Sequence, residues 1–330
     1  MKNSEIIIKK KEKLIPIAGD FFLKDVVSLD QFDRKSIELL FRQVIKIKKT
    51  PIEKLLKILS GKIVALLFFE PSTRTFSSNS AAVKRLGGQT IEHQNPMQNS
   101  SVVKGETIED TTMMLKQYCD AIVIRHPLVG TAEKVAKVAD VPVINAGDGI
   151  GEHPTQALLD MFTIYEKHGR LENIKGLMVG DLLNGRTVHS VIKGLSIFPN
   201  NTLYLLSPKQ LRLSKKDLDE AKRRKIKLIE IKSFEEIPAD CHFWYWTRVQ
   251  KERFADKHEY EKLKLSFILT KKLVDRKAGN NTLIMHPLPR VGEIETAVDA
   301  DPRAVYLTTE AKNGMYVRMA LFNLILNSKF

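Results

Sequence analysis

Residues 61–88 read Gly-Lys-Ile-Val-Ala-Leu-Leu-Phe-Phe-Glu-Pro-Ser-Thr-Arg-Thr-Phe-Ser-Ser-Asn-Ser-Ala-Ala-Val-Lys-Arg-Leu-Gly-Gly. Ile63 to Phe69 is an unbroken apolar run of strand length, as a strand buried on both faces requires. After Thr75, the residues Phe76, Ala82, Val83 and Leu86 recur at helical spacing. The polar loop between them, Pro71-Ser72-Thr73-Arg74-Thr75, therefore joins a strand end to a helix start. Unpaired N–H groups and the positive end of the helix dipole converge at such a start, and Arg74 adds a planar fork that fits two phosphate oxygens. The bland alternative is that Ser72 or Thr73 only caps the helix while Arg74 is a surface charge. Three hydroxyls around one arginine favour a phosphate site.

Outward from this unit the same alternation continues. Ser28 and Gln31 have capping-box spacing, and after Asp33 the positions Ile37, Leu40, Phe41 and Val44 mark one helical face that ends at Thr50-Pro51. Ala121 to Ile124 and Val141 to Ile144 are further short apolar runs, with a helical segment Thr131 to Ala139 between them. A second alternation starts at Leu177 and includes Leu203 to Leu206 and Ile226 to Ile231. The expected fold is α/β with two domains, each a mainly parallel sheet flanked by helices. The first domain is expected to take residues 1–153 plus 309–330, and the second 154–308. Gly314 to Leu326 carries apolar residues on one face, as expected of a closing helix that returns to the first domain.

A chain of 330 residues is too long for one small core. No apolar run reaches membrane-span length, the N-terminus has no apolar signal core, and two cysteines, Cys119 and Cys241, make no disulfide framework. A cytoplasmic protein with no membrane partner is expected. The formal net charge of +14 would attract nucleic acid or small anions. The densest basic runs, Lys9-Lys10-Lys11 and Lys222-Arg223-Arg224-Lys225, lack interleaved aromatics and read as solvated faces. Neither a zinc-finger spacing nor an RNA-binding aromatic strand is present, so no nucleic-acid partner is expected. One stretch alone, Phe243-Trp244-Tyr245-Trp246 followed by Thr247-Arg248-Val249-Gln250-Lys251, has the aromatic-basic character of a nucleic-acid surface.

Ser72, Arg74 and Thr75 match the Ser-x-Arg-Thr signature of the carbamoyltransferases, and the chain from about residue 20 onward resembles that family. These enzymes pass a carbamoyl group from carbamoyl phosphate to an amine. Asn79-Ser80 departs from the family pattern and implies altered packing beneath the loop. The resemblance implies carbamoyl phosphate contacts from Ser72, Thr73, Arg74, Thr75 and Arg125, the last at a strand end. His153 and Gln156 match the family's His-Pro-x-Gln motif at a helix start, which implies hydrogen bonds to the carbonyl oxygen and amide nitrogen of carbamoyl phosphate. Residues 99–107 read alone as an exposed loop. In the family's aspartate-using branch a loop of this pattern reaches the neighbouring protomer's site, which implies a homotrimer whose Ser100 and Lys104 serve the next chain.

Leu177 to Thr187, with Gly180 and Gly185 before Arg186-Thr187, nearly spells a nucleotide-binding P-loop, but the lysine is missing. Arginine does not replace that ammonium, so Arg186 reads better as a carboxylate fork. The family carry-over adds Arg248 and Gln250 as aspartate contacts. His286-Pro287-Leu288-Pro289-Arg290 suggests a fixed, cis-capable turn, and the resemblance places carbonyl groups around Pro287, Leu288 and Pro289 against the substrate nitrogen. Ornithine-using members typically carry cysteine at the position of Leu288, and Arg248 suits an acidic co-substrate. Transfer to the amine of L-aspartate is therefore expected, giving N-carbamoyl-L-aspartate and phosphate on the route to pyrimidines. Arg74, Thr75, His153 and Lys104 would be the catalytic set. No metal or organic cofactor is implied, and a regulatory chain is a partner the family admits.

Overall fold

The computed structural model describes residues 14–251, 254 and 256–328. The basic run Lys9-Lys10-Lys11 lies outside the described residues. The chain forms two compact units, one of the described residues up to Thr155 together with those from Met315 onward, the other of Gln156–Gly314.

The first unit contains helices α1 (Arg34–Lys49), α2 (Ile52–Leu55), α3 (Thr73–Arg85), α4 (Pro96–Asn99), α5 (Ile108–Leu115) and α6 (Thr131–Val138) around strands β1 (Ile63–Phe68), β2 (Gln89–Gln94), β3 (Ala121–His126) and β4 (Val143–Asp148). The sheet order is β2-β1-β3-β4, and every pairing is parallel. β1 is central, and Val64, Ala65 and Leu66 are fully buried, as its continuous apolar run requires. β2 was not anticipated. Its sequence Gln-Thr-Ile-Glu-His-Gln carries little apolar signal because it is an edge strand with its side chains largely in reach of water. α3 ends at Leu86, after which Gly87 takes φ +85°, and a Cβ there would meet the Leu56 carbonyl oxygen at 1.7 Å. Ser28 and Gln31 do form a capping box, but it opens only a single 3₁₀ turn, Leu29–Gln31. Asp33 caps α1, accepting from the Ser36 N–H at 2.8 Å.

The second unit contains β5 (Lys175–Val179), β6 (Thr202–Leu206), β7 (Lys227–Ile231), β8 (Phe243–Trp246) and β9 (Leu283–Met285), again all parallel, in the order β7-β6-β5-β8-β9. Helices α8 (Arg186–Leu195), α9 (Lys215–Arg223), α10 (Lys257–Leu263) and α11 (Lys271–Lys277) flank it. Phe243, Trp244, Tyr245 and Trp246 are each 0% exposed. The aromatic stretch is therefore the core strand β8, and the nucleic-acid surface it could suggest is overturned: a base cannot stack on a ring with no accessible face.

Two helices, α7 (Pro154–His168) and α12 (Thr309–Leu326), carry the chain from one unit to the other. From Val317 onward α12 is buried on nearly all sides, not along one face, with Val317, Met319, Ala320, Leu321, Phe322 and Ile325 at 1% exposure or less. Within the first unit the Leu23 N–H donates to the Ile325 carbonyl at 2.9 Å. Among the described residues no helix is long and apolar enough to cross a membrane.

Candidate functional site

Each sheet reverses its strand order once, and Ser72–Thr75 with Arg125 in one unit, and Arg186 with Arg248 and Gln250 in the other, follow the strands on either side of the reversal. In the first unit β2 lies on one side of β1, while β3 and β4 lie on the other. Loops leaving the carboxyl ends of β1 and β3 diverge there, which is where open α/β sheets bind ligands. Phe68 pairs with Arg125 across these strands, so Glu70 to Thr75 and Arg125 flank one crevice.

Ser72 is the N-cap residue of α3, yet its side chain makes no cap hydrogen bond. The bland reading of Ser72 as a cap fails on this point, and its hydroxyl is left beside the first free N–H groups of the helix. Thr73 and Arg74 are exposed, whereas Thr75 is buried. The polar pair beneath the loop is built in: Asn79 Nδ2 donates to the Thr75 carbonyl at 2.8 Å, and Ser80 Oγ to Glu92 at 2.7 Å.

Arg125 Nη1 donates to the Ala146 carbonyl at 3.2 Å, and Nη2 pairs with Glu70 at 3.2 Å. Glu70 was not foreseen; its only sequence signal was its place immediately before the loop. His153 is 3% exposed, with Nδ1 at 3.5 Å from Thr155 Oγ1, and Arg318 Nη2 donates to that same oxygen at 3.2 Å. Thr155 Oγ1 thus links the Arg318 guanidinium to the His153 ring. Ser100 and Lys104 stand apart from this group: no hydrogen bond or ion pair among the described residues joins either to the Ser72–Thr75 loop. Ser100 caps the turn Ser101–Lys104, and Lys104 is exposed.

In the second unit the order reverses between β5 and β8, which run in register to Val179 opposite Trp246. Arg186 follows β5 as the first residue of α8, and Arg248 and Gln250 follow β8. The two loops interlock. Gly180 takes φ +112°, and a Cβ there would meet the Thr247 carbonyl oxygen at 2.1 Å. Asp181, fully buried, accepts from the Asn184 N–H at 2.9 Å and the Gln250 N–H at 3.2 Å, while Gln250 Nε2 donates to the Asn184 carbonyl at 2.7 Å. Burial pushes the Asp181 carboxyl above its ordinary range, and these N–H groups oppose the shift. The loop thus spends backbone N–H on an internal carboxylate, the opposite of a phosphate cradle, so the P-loop reading does not hold. Asp181 was missed by sequence reasoning, although an aspartate directly after a strand end was visible.

Leu288-Pro289 is a cis peptide. The Leu288 N–H donates to His286 Nδ1 at 2.7 Å, and His286 Nε2 donates to Glu293 at 2.7 Å, with both side chains buried. Burial alone would raise Glu293, but the His286 contact outweighs it and holds the carboxyl low. Gln156, in the first turn of α7, donates from Nε2 to Asp160 at 3.0 Å.

Arranged this way, the first unit sets hydroxyls, a helix N-terminus and the guanidinium groups of Arg74 and Arg125 along one crevice, and the second sets Arg186 and Arg248 on the loops that follow β5 and β8. The family model described as aspartate/ornithine carbamoyltransferase, carbamoyl-P binding domain, matches residues 24–166, and that for the Asp/Orn binding domain matches residues 172–325. An aspartate carbamoyltransferase catalytic subunit of Methanocaldococcus jannaschii is 47% identical over 266 residues, 81% of this chain and 85% of that protein. The multifunctional protein pyr1-3 of Dictyostelium discoideum is 45% identical over 97% of this chain, which spans only 14% of that protein's length. An aspartate transcarbamoylase from Trypanosoma cruzi, solved in complex with carbamoyl phosphate and aspartate, superposes with a TM-score of 0.86 at 36% identity, covering 95% of this chain and all of that one.

Proposed function

The chain belongs to the aspartate/ornithine carbamoyltransferase family, and from that premise we propose how its residues divide the work. The protein is an aspartate carbamoyltransferase: it transfers the carbamoyl group of carbamoyl phosphate to the amine of L-aspartate, giving N-carbamoyl-L-aspartate and phosphate, a step of pyrimidine biosynthesis. The observation that carries the assignment of roles is the coincidence of both expected half-sites with the two strand-order reversals.

In this reading the first unit takes carbamoyl phosphate. Ser72, Thr73, Arg74, Thr75 and the α3 N-terminus hold its phosphate, and Arg125 joins them by sharing its fork between Glu70 and the ligand. His153, with Arg74 and Thr75, polarises the carbonyl, and Gln156 with the carbonyls around Pro287, Leu288 and Pro289 takes the amide nitrogen. Arg186 and Arg248 bind the aspartate carboxylates, with Gln250 keeping the second loop in place. Attack of the amine on the carbamoyl carbon requires two mutually repelling anions to be aligned and neutralised, which needs no covalent intermediate. A departing phosphate oxygen is available to take the amine proton.

Ser100 and Lys104 complete a neighbour's site in a homotrimer, with Lys104 bridging the two substrates. The absence of any partner for the exposed Lys104 among the described residues supports this. We place the enzyme in the cytoplasm. One assay tests the chemistry: purified protein given carbamoyl phosphate with L-aspartate or L-ornithine should turn over with aspartate only. Phosphate release with ornithine alone would overturn it.

A further inference from the structure

We infer that Asp160 is a positioning residue for carbamoyl transfer, because its carboxylate dictates which end of the Gln156 amide meets the substrate. The inference rests on the carbamoyltransferase reading above, which assigns Gln156 to the carbamoyl amide.

Asp160 is 0% exposed. Its Oδ1 accepts from Gln156 Nε2 at 3.0 Å and its Oδ2 from the Tyr245 hydroxyl at 2.9 Å. A third neighbour is the Glu310 carboxyl, 2% exposed, whose Oε2 accepts from the His286 N–H at 3.1 Å. Two carboxyls so placed cannot both be charged in a dry interior, and the donor pattern says which one is. Two donors, Gln156 Nε2 and the Tyr245 hydroxyl, converge on Asp160, and one, the His286 N–H, on Glu310. Burial first, then the neighbouring Asp160 charge, push Glu310 well above the usual carboxylate range, so Glu310 is the acid that keeps its proton.

The consequence falls on Gln156. A carboxylate is an acceptor only, so the atom facing it must be Nε2, and Oε1 is turned away. Among the described residues Oε1 receives no hydrogen bond from the protein. The carbamoyl nitrogen carries two protons and no acceptor, so it needs that oxygen. A flipped amide would set NH₂ against NH₂. The same hub reaches the cis turn through His286, whose ring in turn accepts the Leu288 N–H, so one buried charge braces two of the groups that would face the carbamoyl amide.

The test is a reciprocal pair of variants followed by a double-mutant cycle, all on the full-length protein with carbamoyl phosphate and L-aspartate. Asp160→Asn lets the Gln156 amide flip and should lower kcat about ten- to hundredfold. Glu310→Gln replaces a protonated carboxyl by a neutral donor that touches no substrate, and should keep at least a third of wild-type kcat. Equal activity of Asp160→Asn and wild type overturns the inference, and so does the reverse ranking of the two variants, which would put the charge on Glu310. In the cycle, Asp160→Asn should cost less than twofold once Gln156 is already Ala, because there is no amide left to orient. A loss as large in that background as in the wild type makes Asp160 merely structural and overturns the inference. Should Asp160→Asn fail to fold, Asp160→Glu, which keeps the charge but displaces it, is put through the same cycle and judged by the same coupling. Failure of the underlying reading is distinct: it shows as a wild-type protein without turnover, or as Gln156→Ala with full activity.

Discussion

The proposed chemistry of the first unit leans most on Arg74, which is exposed at the N-terminus of α3 beside an N-cap serine whose hydroxyl makes no cap bond. In the proposed reading, Arg74→Ala removes a charged donor from both the phosphate and the developing negative charge on the carbonyl oxygen. By comparison with the loss of one oxyanion-hole donor, kcat should fall by roughly 10²- to 10³-fold, with the melting temperature unchanged. A loss below tenfold would reduce Arg74 to a surface charge. The residues that contact substrate in this account were legible in sequence because each belongs to a short run of loop chemistry after a strand. Those that hold them were not. Glu70 and Asp181 pair with Arg125 and Gln250, 55 and 69 positions away in the chain, and no local pattern announces a pairing of that range; Asp160 meets Gln156 within one helical turn, but its burial depends on Tyr245, 85 positions away.

At the level of elements, β2 and β8 show what composition leaves out: a polar edge strand carries too little apolar signal to be recognised as a strand, and the aromatic residues of a central strand are buried because of its place in the sheet order. The segment after β9 gives a prediction of its own. Arg303 Nε and Nη2 both donate to Asp301, at 2.9 and 2.8 Å, while Nη1 donates to the Ala278 carbonyl at 2.7 Å, and the Ile284 N–H bonds the Arg303 carbonyl at 2.8 Å, tying this corner to β9. The Arg303 hydrogen bond, above all, holds the Asp301 carboxyl down to about 2 from an ordinary 3.8. A carboxyl depressed in the fold stabilises it above the unfolded-state value, and that contribution is lost as pH falls from 3.8 through about 2. Urea midpoints measured across this window should therefore fall less steeply with acid in Asp301→Asn than in the wild type, and the variant should be the less stable one at neutral pH. Parallel acid limbs for the two proteins would contradict the pairing.

For the whole molecule, the proposed trimer makes a quantitative demand. If Lys104 serves a neighbour's site and Arg248 its own, Lys104→Ala and Arg248→Ala homotrimers should each be nearly inactive, since every site then lacks one group. In a closed ring of randomly mixed subunits, a site is intact when its Arg248 comes from the Lys104→Ala chain and its Lys104 from the other, a chance of about one half times one half. About a quarter of wild-type activity should return after subunit exchange. Verified mixed trimers as inactive as their parents would mean that Lys104 does not act across the interface. What the sequence determined by itself was the alternation of strand and helix, the parallel sheets it enforces, and the polar loops where ligand chemistry sits, because apolar periodicity and loop composition are local properties that burial and backbone hydrogen bonding act on directly. Only the tertiary structure decided the strand order that sets β1 against β3 and β5 against β8, the strands whose carboxyl ends lead to Ser72 and carry Arg125 in one unit and lead to Arg186 and Arg248 in the other. It alone also decided the burial of Phe243 to Trp246, and the convergence of Gln156 and Tyr245 on the buried Asp160. Those outcomes depend on which distant segments share a low-dielectric interior, and that is set by packing the whole chain.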